Sequence, residues 1–234
     1  MSDSLDRVRG VHELPLFPLP VVLFPGVPMP LHIFEPRYRR LLEDIRLRDN
    51  LFGLSYFDAS AADSAVVPPV GHIGCVAEVT EVQSMPDGRS NILTVGLIRY
   101  RVESYVEHGD PYLVGAVAFF EDQEEDEETL SRRAHEVSGL FQRIALAVRI
   151  INDERATLPE IPDVDPEQLS FLVAAAMEID TEVKLELLEM RSTSERLKRL
   201  RDLLARAVNS YEERARMHGI ARRNGHGGKK IDLE

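Results

Sequence analysis

This sequence of 234 residues has no tryptophan, a single cysteine and no long apolar run. Because Cys75 has no partner in the chain, an internal disulfide is excluded, and a reducing compartment is the expected setting. No stretch of about 18 apolar residues could span a bilayer, and the first ten residues lack the apolar centre of a signal peptide. We therefore expect a cytoplasmic protein that does not enter a membrane.

Positive charge is also scarce. The chain has 28 Lys and Arg residues against 40 Asp and Glu residues, and its formal net charge is −12. A nucleic-acid-binding surface needs excess cations to neutralise phosphates and aromatic side chains on which bases can stack. The lack of tryptophan and of excess positive charge argues against a broad nucleic-acid-binding surface. It does not exclude a small local basic patch.

The sequence signatures of catalysis and metal binding are missing as well. There is no G-x-x-x-x-G-K-[ST] phosphate-binding loop and no G-x-S-x-G nucleophile motif. His72 and Cys75 offer only two zinc ligands, whereas a structural zinc site needs four. The acidic run 121–128 lacks the spacing and the turn glycine of a calcium-binding loop. We expect no catalytic residue, no metal and no cofactor.

What the chain does contain is an unusual opening segment, residues 14–40, in which prolines alternate with large apolar side chains. Its first part holds six prolines: Pro15, Pro18, Pro20, Pro25, Pro28 and Pro30. Proline fixes φ and cannot donate a backbone hydrogen bond, so the segment cannot be a central strand along its whole length. We expect one or two strands broken by rigid turns, with Gly26 supplying backbone freedom at one corner. Glu35 and Pro36 then mark the start of an amphipathic helix that ends near residue 50.

Strand-like patterns dominate the rest of the first half. Residues 51–57, 70–83, 92–103 and 112–120 are rich in β-branched and aromatic side chains. The turn sequence Met85–Arg89 separates the second and third of these stretches and predicts a hairpin. We expect a small closed or nearly closed β-barrel with one embedded helix.

Helical periodicity replaces this pattern beyond the acidic run, so the fold class is α+β, a β-barrel followed by a helical bundle. The predicted divisions are a flexible N-terminus (1–12), a barrel subdomain (13–120), an acidic linker (121–128), a helical subdomain (129–218) and a disordered tail (219–234).

The order of these motifs resembles the Lon protease N-terminal, substrate-binding domain family. The matching stretches are Leu14–Leu19, Leu23–Gly26, Pro30–Tyr38, Val70–Ala77, Met85–Arg89, Thr94–Val102, Leu185–Glu189 and Ser194–Leu200. The motif positions are Gly26, Glu35, Pro36, Arg37, Tyr38, Gly71, Gly74, Asp87, Gly88, Gly96 and Arg99. The resemblance covers roughly residues 13–217 and implies a PUA-like barrel followed by helices.

For function, the resemblance implies a stand-alone, non-enzymatic module that binds unfolded or degron-bearing polypeptides in protein quality control. Such a module would act as a receptor or as an adaptor to a separate ATP-dependent protease, and a protease label would only be inherited from the family name. Two alternatives stay open: an RNA-binding protein, because PUA-like barrels in other settings grip RNA, and an enzyme acting on a small ligand. The sequence does not identify the client protein, and it does not show whether the chain forms a homodimer.

A receptor for unfolded chains needs exposed apolar surface that tolerates many ligands. Rigid prolines and adaptable methionines suit such a surface, and two places combine them. One is the corner with Phe24, Pro25 and Met29, and the other is the hairpin tip with Met85 and Pro86. Side chains such as Phe17, Phe24, Leu31 and Phe34 are more often core residues than contact residues. We expect Glu35 to cap the following helix and Arg37 and Tyr38 to brace its junction with the barrel.

Overall fold

The computed structural model describes residues 3–57, 67–153 and 164–225, with side chains up to residue 220. The elements in chain order are α1 (Asp3–Arg7), β1 (Glu13–Leu19), β2 (Pro28–Ile33), α2 (Pro36–Arg46), β3 (Leu51–Tyr56), β4 (Ile73–Ser84), β5 (Ser90–Val106), β6 (Leu113–Phe120), α3 (Glu127–Ile151), α4 (Pro166–Ala176), α5 (Thr181–Glu189) and α6 (Thr193–Gly225). Strands precede helices, so the predicted α+β class is confirmed.

The strands form one sheet in the order β2-β5-β4-β3-β1-β6, and β5 also pairs with β6. That additional pairing closes β5, β4, β3, β1 and β6 into a barrel and leaves β2 as an edge strand outside the ring. Strands β1 and β3 pair in parallel, and the other ladders between the described strands are antiparallel. Strand β5 reaches both β2 and β6 because it is 17 residues long.

Staggered pairing explains how β1 keeps two prolines inside the barrel wall. Its first half pairs with β6, where Pro15 lies opposite Val114, and its second half pairs with β3, where Pro18 lies opposite Ser55. Each proline therefore interrupts a ladder on one side only. The prediction of strands broken by turns is confirmed, since a stretch outside any strand, with a corner at Gly26 (φ 70°), separates β1 from β2.

The embedded helix α2 packs one face on the barrel. Tyr38, Leu41, Leu42 and Ile45 are buried, which is the apolar spacing that the sequence predicts. Tyr38 stacks on Phe17, with ring centroids 3.9 Å apart. The helix ends at Arg46, earlier than expected.

The chain divides into two compact units that interleave in sequence. The first contains residues 1–123 together with 171–191, and the second contains 124–170 together with 192–234. The predicted linear split at 121–128 therefore misses the return of residues 171–191 to the barrel's unit. In the second unit α3 and α6 run side by side in the same direction, since Arg133 and Arg143 bond to Ser194 and Glu212 respectively.

Three predicted boundaries also differ from the structure. The N-terminus has regular structure from residue 3 onward, because α1 is helical and Val8 is buried in a core cluster. The acidic run is not simply a linker: Asp122 is buried, and Asp126 caps α3 by accepting a hydrogen bond from Thr129 N at 2.9 Å. Helix α6 continues to Gly225, which includes the first part of the predicted tail, and the prediction for residues 226–234 lies outside the described part of the chain.

Candidate functional site

The structure separates the five residues predicted to contact polypeptide. Phe24 is fully buried, and its ring lies 6.0 Å from that of Phe171, so its predicted contact role is wrong and it belongs to the core. Met29 is half-buried and packs against a barrel core cluster. Pro25 and Met85 are partly exposed, and Pro86 is exposed.

The corner and the hairpin tip lie at the two ends of the ladder between β2 and β5. Pro28, next to the corner, pairs with Val95, and Ile33 pairs with Ser90 directly beside the tip. Six residues of extended strand span about 20 Å. The two predicted places are therefore joined by one edge strand.

Side chains along this strand alternate between exposed and buried. Pro28, Pro30, His32 and Phe34 are exposed, whereas Met29 and Leu31 are half-buried and Ile33 is buried. Partners in register share a face of the sheet, which places Val95 and Leu93 of β5 beside Pro28 and Pro30. We call this set the β2 face; it comprises Pro28, Pro30, His32, Phe34, Leu93 and Val95.

Phe34 is the most exposed large apolar side chain of the β2 face, at 57%. Its ring stacks on His32 at a centroid distance of 5.9 Å, and His32 Nδ1 lies 2.7 Å from Asn91 Oδ1. The aromatic pair is thus held against β5 rather than left free. Sequence reasoning favoured a core position for Phe34, although the alternation that begins at Pro28 places it on the exposed side.

The hairpin tip is rigid. Met85 N donates to Arg89 O at 2.8 Å, Gly88 N donates to Met85 O at 3.0 Å, and Gly88 has φ of 82°. The Asp87 carboxylate accepts hydrogen bonds from the backbone N and the side-chain Nε of Arg89, at 3.1 and 2.6 Å. These bonds lower the pKa of Asp87 from its ordinary value. The tip therefore presents Pro86 on a fixed turn.

The N-terminus of α2 is not capped in the way that the sequence predicts. Glu35 occupies the N-cap position, but its side chain makes no capping hydrogen bond. Its carboxylate instead pairs with Arg37, with Arg37 Nη2 at 2.9 Å, and the Arg37 guanidinium lies 4.5 Å from the centre of the Tyr38 ring. Arg37 thus covers the outer side of the buried Tyr38.

The side chain of Arg99, one of the motif positions, makes buried contacts within the protein. Its guanidinium is buried, is paired with the Asp122 carboxylate, and donates to the carbonyls of Leu188 and Met190 at 3.1 and 2.6 Å. It also lies 4.8 Å from the centre of the Phe120 ring. Arg99 therefore ties the returning segment 171–191 to the barrel.

The residues considered for metal binding do not form a site. Burial raises the pKa of the Cys75 thiol to about 12, and desolvation lowers the pKa of His72, whose buried Nε2 has no hydrogen-bond partner among the described residues. Over the ranges 3–57, 67–153 and 164–220, no group of three or more His, Cys, Asp or Glu side chains could hold a metal ion. Among the described residues, no helix combines the length and the apolarity that crossing a membrane requires.

The architecture defines an α+β protein in which a small closed barrel carries an exposed apolar edge strand. Two solved structures share this fold. A Lon N-terminal domain protein from Xanthomonas campestris superposes with a TM-score of 0.58 at 22% identity, covering 81% of this chain and 97% of that one. The N-terminal domain of Lon protease from the Mycobacterium avium complex gives a TM-score of 0.60 at 17% identity, covering 82% and 98%.

Sequence comparison identifies the family. The family model described as the ATP-dependent protease La (LON) substrate-binding domain matches residues 13–206, which is most of the chain. The chain belongs to this family, as its motifs predict. The Lon protease of Desulforamulus reducens is 26% identical over 204 residues, which cover 86% of this chain and 25% of the relative. The Lon protease of Brevibacillus choshinensis is 26% identical over 197 residues, again 25% of its length. The chain thus spans about a quarter of the length of these relatives.

Proposed function

We propose that this chain is a non-enzymatic module that binds unfolded or degron-bearing polypeptides through the β2 face. The observation that carries the proposal is the row of exposed Pro28 and Pro30 on an edge strand and Phe34 directly after it, with Leu93 and Val95 beside the strand. The family's description as a substrate-binding domain supports the same role.

The chemistry of the β2 face suits ligands that share hydrophobicity rather than one sequence. Proline side chains give a rigid apolar ridge that loses little entropy on binding, and Phe34 adds an aromatic anchor. Pro28 and Pro30 also lack backbone donors, so β2 is a poor template for a continuous β-ladder. Recognition therefore depends on side-chain contacts more than on backbone pairing.

The contribution of Phe34 can be estimated from its exposure. With the side chain 57% exposed, covering it removes roughly 100 Å² of apolar surface from water, which contributes about 2–3 kcal/mol. The cost of ordering the client reduces this gain. We expect Phe34→Ser to weaken binding by about tenfold.

The charge of the β2 face disfavours the RNA-binding alternative. None of its six residues is Lys or Arg, and Glu78 and Glu81 of β4 pair with Val95 and Leu93 beside them. Phosphates would meet no countercharge on this face. We therefore prefer a polypeptide as the ligand. The chain would act as an adaptor or receptor that delivers it to a separate ATP-dependent protease.

The test is suppression of aggregation of a reduced, alkylated and permanently unfolded client protein by wild type, Phe34→Ser and Leu47→Ser. Leu47 is a matched control because it is 86% exposed and lies beyond the end of α2, outside the β2 face. Wild type and Leu47→Ser should protect the client equally, and Phe34→Ser should protect it less. Equal protection by both variants, or none by wild type, would overturn the proposal.

A further inference from the structure

A second feature lies beside the Phe34 end of the β2 face. A cavity of about 220 Å³ opens between α2 and the hairpin that joins β4 to β5. We call it the tip pocket. Its polar lining consists of Arg39, Glu43, Arg46, Ser84, Arg89 and Ser90. Three arginines and two serines therefore line one small cavity, in a chain whose net charge is −12.

The fold brings these arginines together from two elements. Arg39 and Arg46 are seven residues apart on α2, which places them two turns apart on the same side of the helix. Arg89 comes from the hairpin. Gly88 has no side chain, and a Cβ atom there would collide with the Arg39 guanidinium, so the Arg39 side chain lies directly against the backbone of the turn. This close approach holds Arg39 at the pocket wall.

The three nearby carboxylates lie beside arginines other than Arg39 and Arg46. Asp87 pairs with Arg89, and Asp44 pairs with Arg40 at 3.0 Å. Glu43, the acidic member of the lining, lies 3.9 Å from Arg40 Nη1. In the described part of the chain, neither Arg39 nor Arg46 lies within ion-pair distance of a carboxylate.

The arrangement matches the chemistry of an oxyanion. Guanidinium groups present donors in a planar fork that fits carboxylate and phosphate groups, and serine hydroxyls supply further donors. Formal charges of +3 from the arginines, −1 from Glu43 and −1 from Asp87, which is paired with Arg89, leave the pocket and its rim at +1. Ser90 is opposite Ile33 in the ladder, and Phe34 follows Ile33 in the chain, so the pocket lies near this end of β2.

We propose that the tip pocket binds an anionic group, a carboxylate or a phosphate, of the polypeptide whose apolar segment lies on the β2 face. The inference rests on the proposed function and deepens it, because it names the ligand class as an apolar segment followed by a negative charge. The anion has three sources: an Asp or Glu side chain, a free C-terminal carboxylate or a phosphorylated residue.

The test is fluorescence anisotropy with dye-labelled peptides that share one apolar segment. The four peptides end in a neutral amide, in an acidic side chain followed by an amide, in a free carboxylate, or in phosphoserine followed by an amide. Wild type should bind one or more anionic peptides about tenfold more tightly than the neutral one, the effect of a charge-assisted hydrogen bond. The advantage should shrink with added salt. The strongest of the three anionic arms identifies the source.

Arg39→Gln should abolish the advantage while leaving the neutral peptide bound as before. Arg48→Gln is the control, because it removes the same charge from an exposed residue outside the pocket lining and should keep the advantage. Equal binding of neutral and anionic peptides to wild type, or equal losses in both variants, would overturn the inference.

A titration with inorganic phosphate, followed by the NMR shifts of the Gly88 and Ser90 amides, tests the pocket without any polypeptide. Saturable shifts that disappear in Arg39→Gln are expected. If the neutral peptide fails to bind while phosphate does, the proposed function fails and the anion pocket stands. If phosphate causes no saturable shifts and the anionic peptides bind no more tightly than the neutral peptide, the pocket inference fails. The proposed function then still stands, provided that the neutral peptide binds.

Discussion

The pair formed by Arg99 and Asp122 gives the sharpest test of how the barrel's unit is held together. The exposed fractions of these side chains are 1% and 4%, and Arg99 also donates to the carbonyls of Leu188 and Met190. Arg99→Met keeps an unbranched apolar stem but removes the charge and the donors of the guanidinium. Asp122 then loses the guanidinium of Arg99, and two carbonyl groups lose a donor.

The expected loss in the free energy of unfolding is about 3–5 kcal/mol, the usual cost of removing one partner of a buried ion pair. This is a large part of the roughly 5–15 kcal/mol that stabilises a typical domain. In urea, with a slope of about 2 kcal/mol per molar, the midpoint should fall by roughly 2 M. The double substitution Arg99→Met/Asp122→Leu should recover part of the loss, since no unpaired charge is left buried.

The assay is urea denaturation followed by far-ultraviolet circular dichroism. Arg7→Met is the control, because Arg7 forms an ion pair with Glu78 in which the two side chains are 43% and 30% exposed. Exposed pairs contribute about 0–1 kcal/mol, so this variant should be nearly as stable as wild type. If Arg99→Met loses no more than Arg7→Met, the assignment of Arg99 as the tie between the barrel and residues 171–191 is refuted.

Three further predictions concern buried positions. Gly96→Ala should lower the free energy of unfolding by about 1–3 kcal/mol, because a Cβ atom there would lie 2.8 Å from the Phe24 carbonyl carbon. The control Gly139→Ala, in open space on α3, should not destabilise the protein. Equal thermal midpoints of the two variants would contradict this prediction. Burial raises the pKa of Cys75 to about 12, so Ellman's reagent should react fully only in denaturant, and rapid labelling in buffer would refute the buried site. Desolvation lowers the pKa of His72, so the folded state binds fewer protons than the unfolded state once pH falls below about 6.5. Stability should therefore decrease as pH falls through that range and then level off below the folded-state pKa; an unchanged slope in His72→Gln would be inconsistent with it.

Local patterns predict much of the fold. Pro36 and the apolar spacing of Tyr38, Leu41 and Ile45 identify α2, because the start signal and the period of 3.6 residues depend only on neighbours in sequence. The turn between β4 and β5 is likewise visible in the residues Pro86 to Gly88. The closed barrel follows from strand number and alternation.

The return of residues 171–191 to the barrel's unit is not visible in sequence. It depends on Arg99, whose partners lie 23, 89 and 91 positions away. Hydrophobic periodicity describes one element at a time, so it carries no information about such pairings. An acidic run also predicts exposure for every member, although Asp122 is buried.

The candidate site was predicted in part. Both expected places lie at the ends of β2, yet Phe24 is core and Phe34 is exposed. The two residues have the same side chain, so composition cannot distinguish them; only the alternation that starts at Pro28 does. The tip pocket requires the position of the hairpin against α2, which the spacing of Arg39 and Arg46 alone does not give.

The most direct test of the account is site-specific photocrosslinking from the β2 face. A benzophenone amino acid placed at position 34 should crosslink to a permanently unfolded client, and the same probe at position 47 should not, although Leu47 is the more exposed of the two. A crosslink from position 34 that a competing apolar peptide abolishes is the predicted result. Equal crosslinking from both positions, or none from position 34 while the client still binds, would contradict the assignment of polypeptide binding to this face.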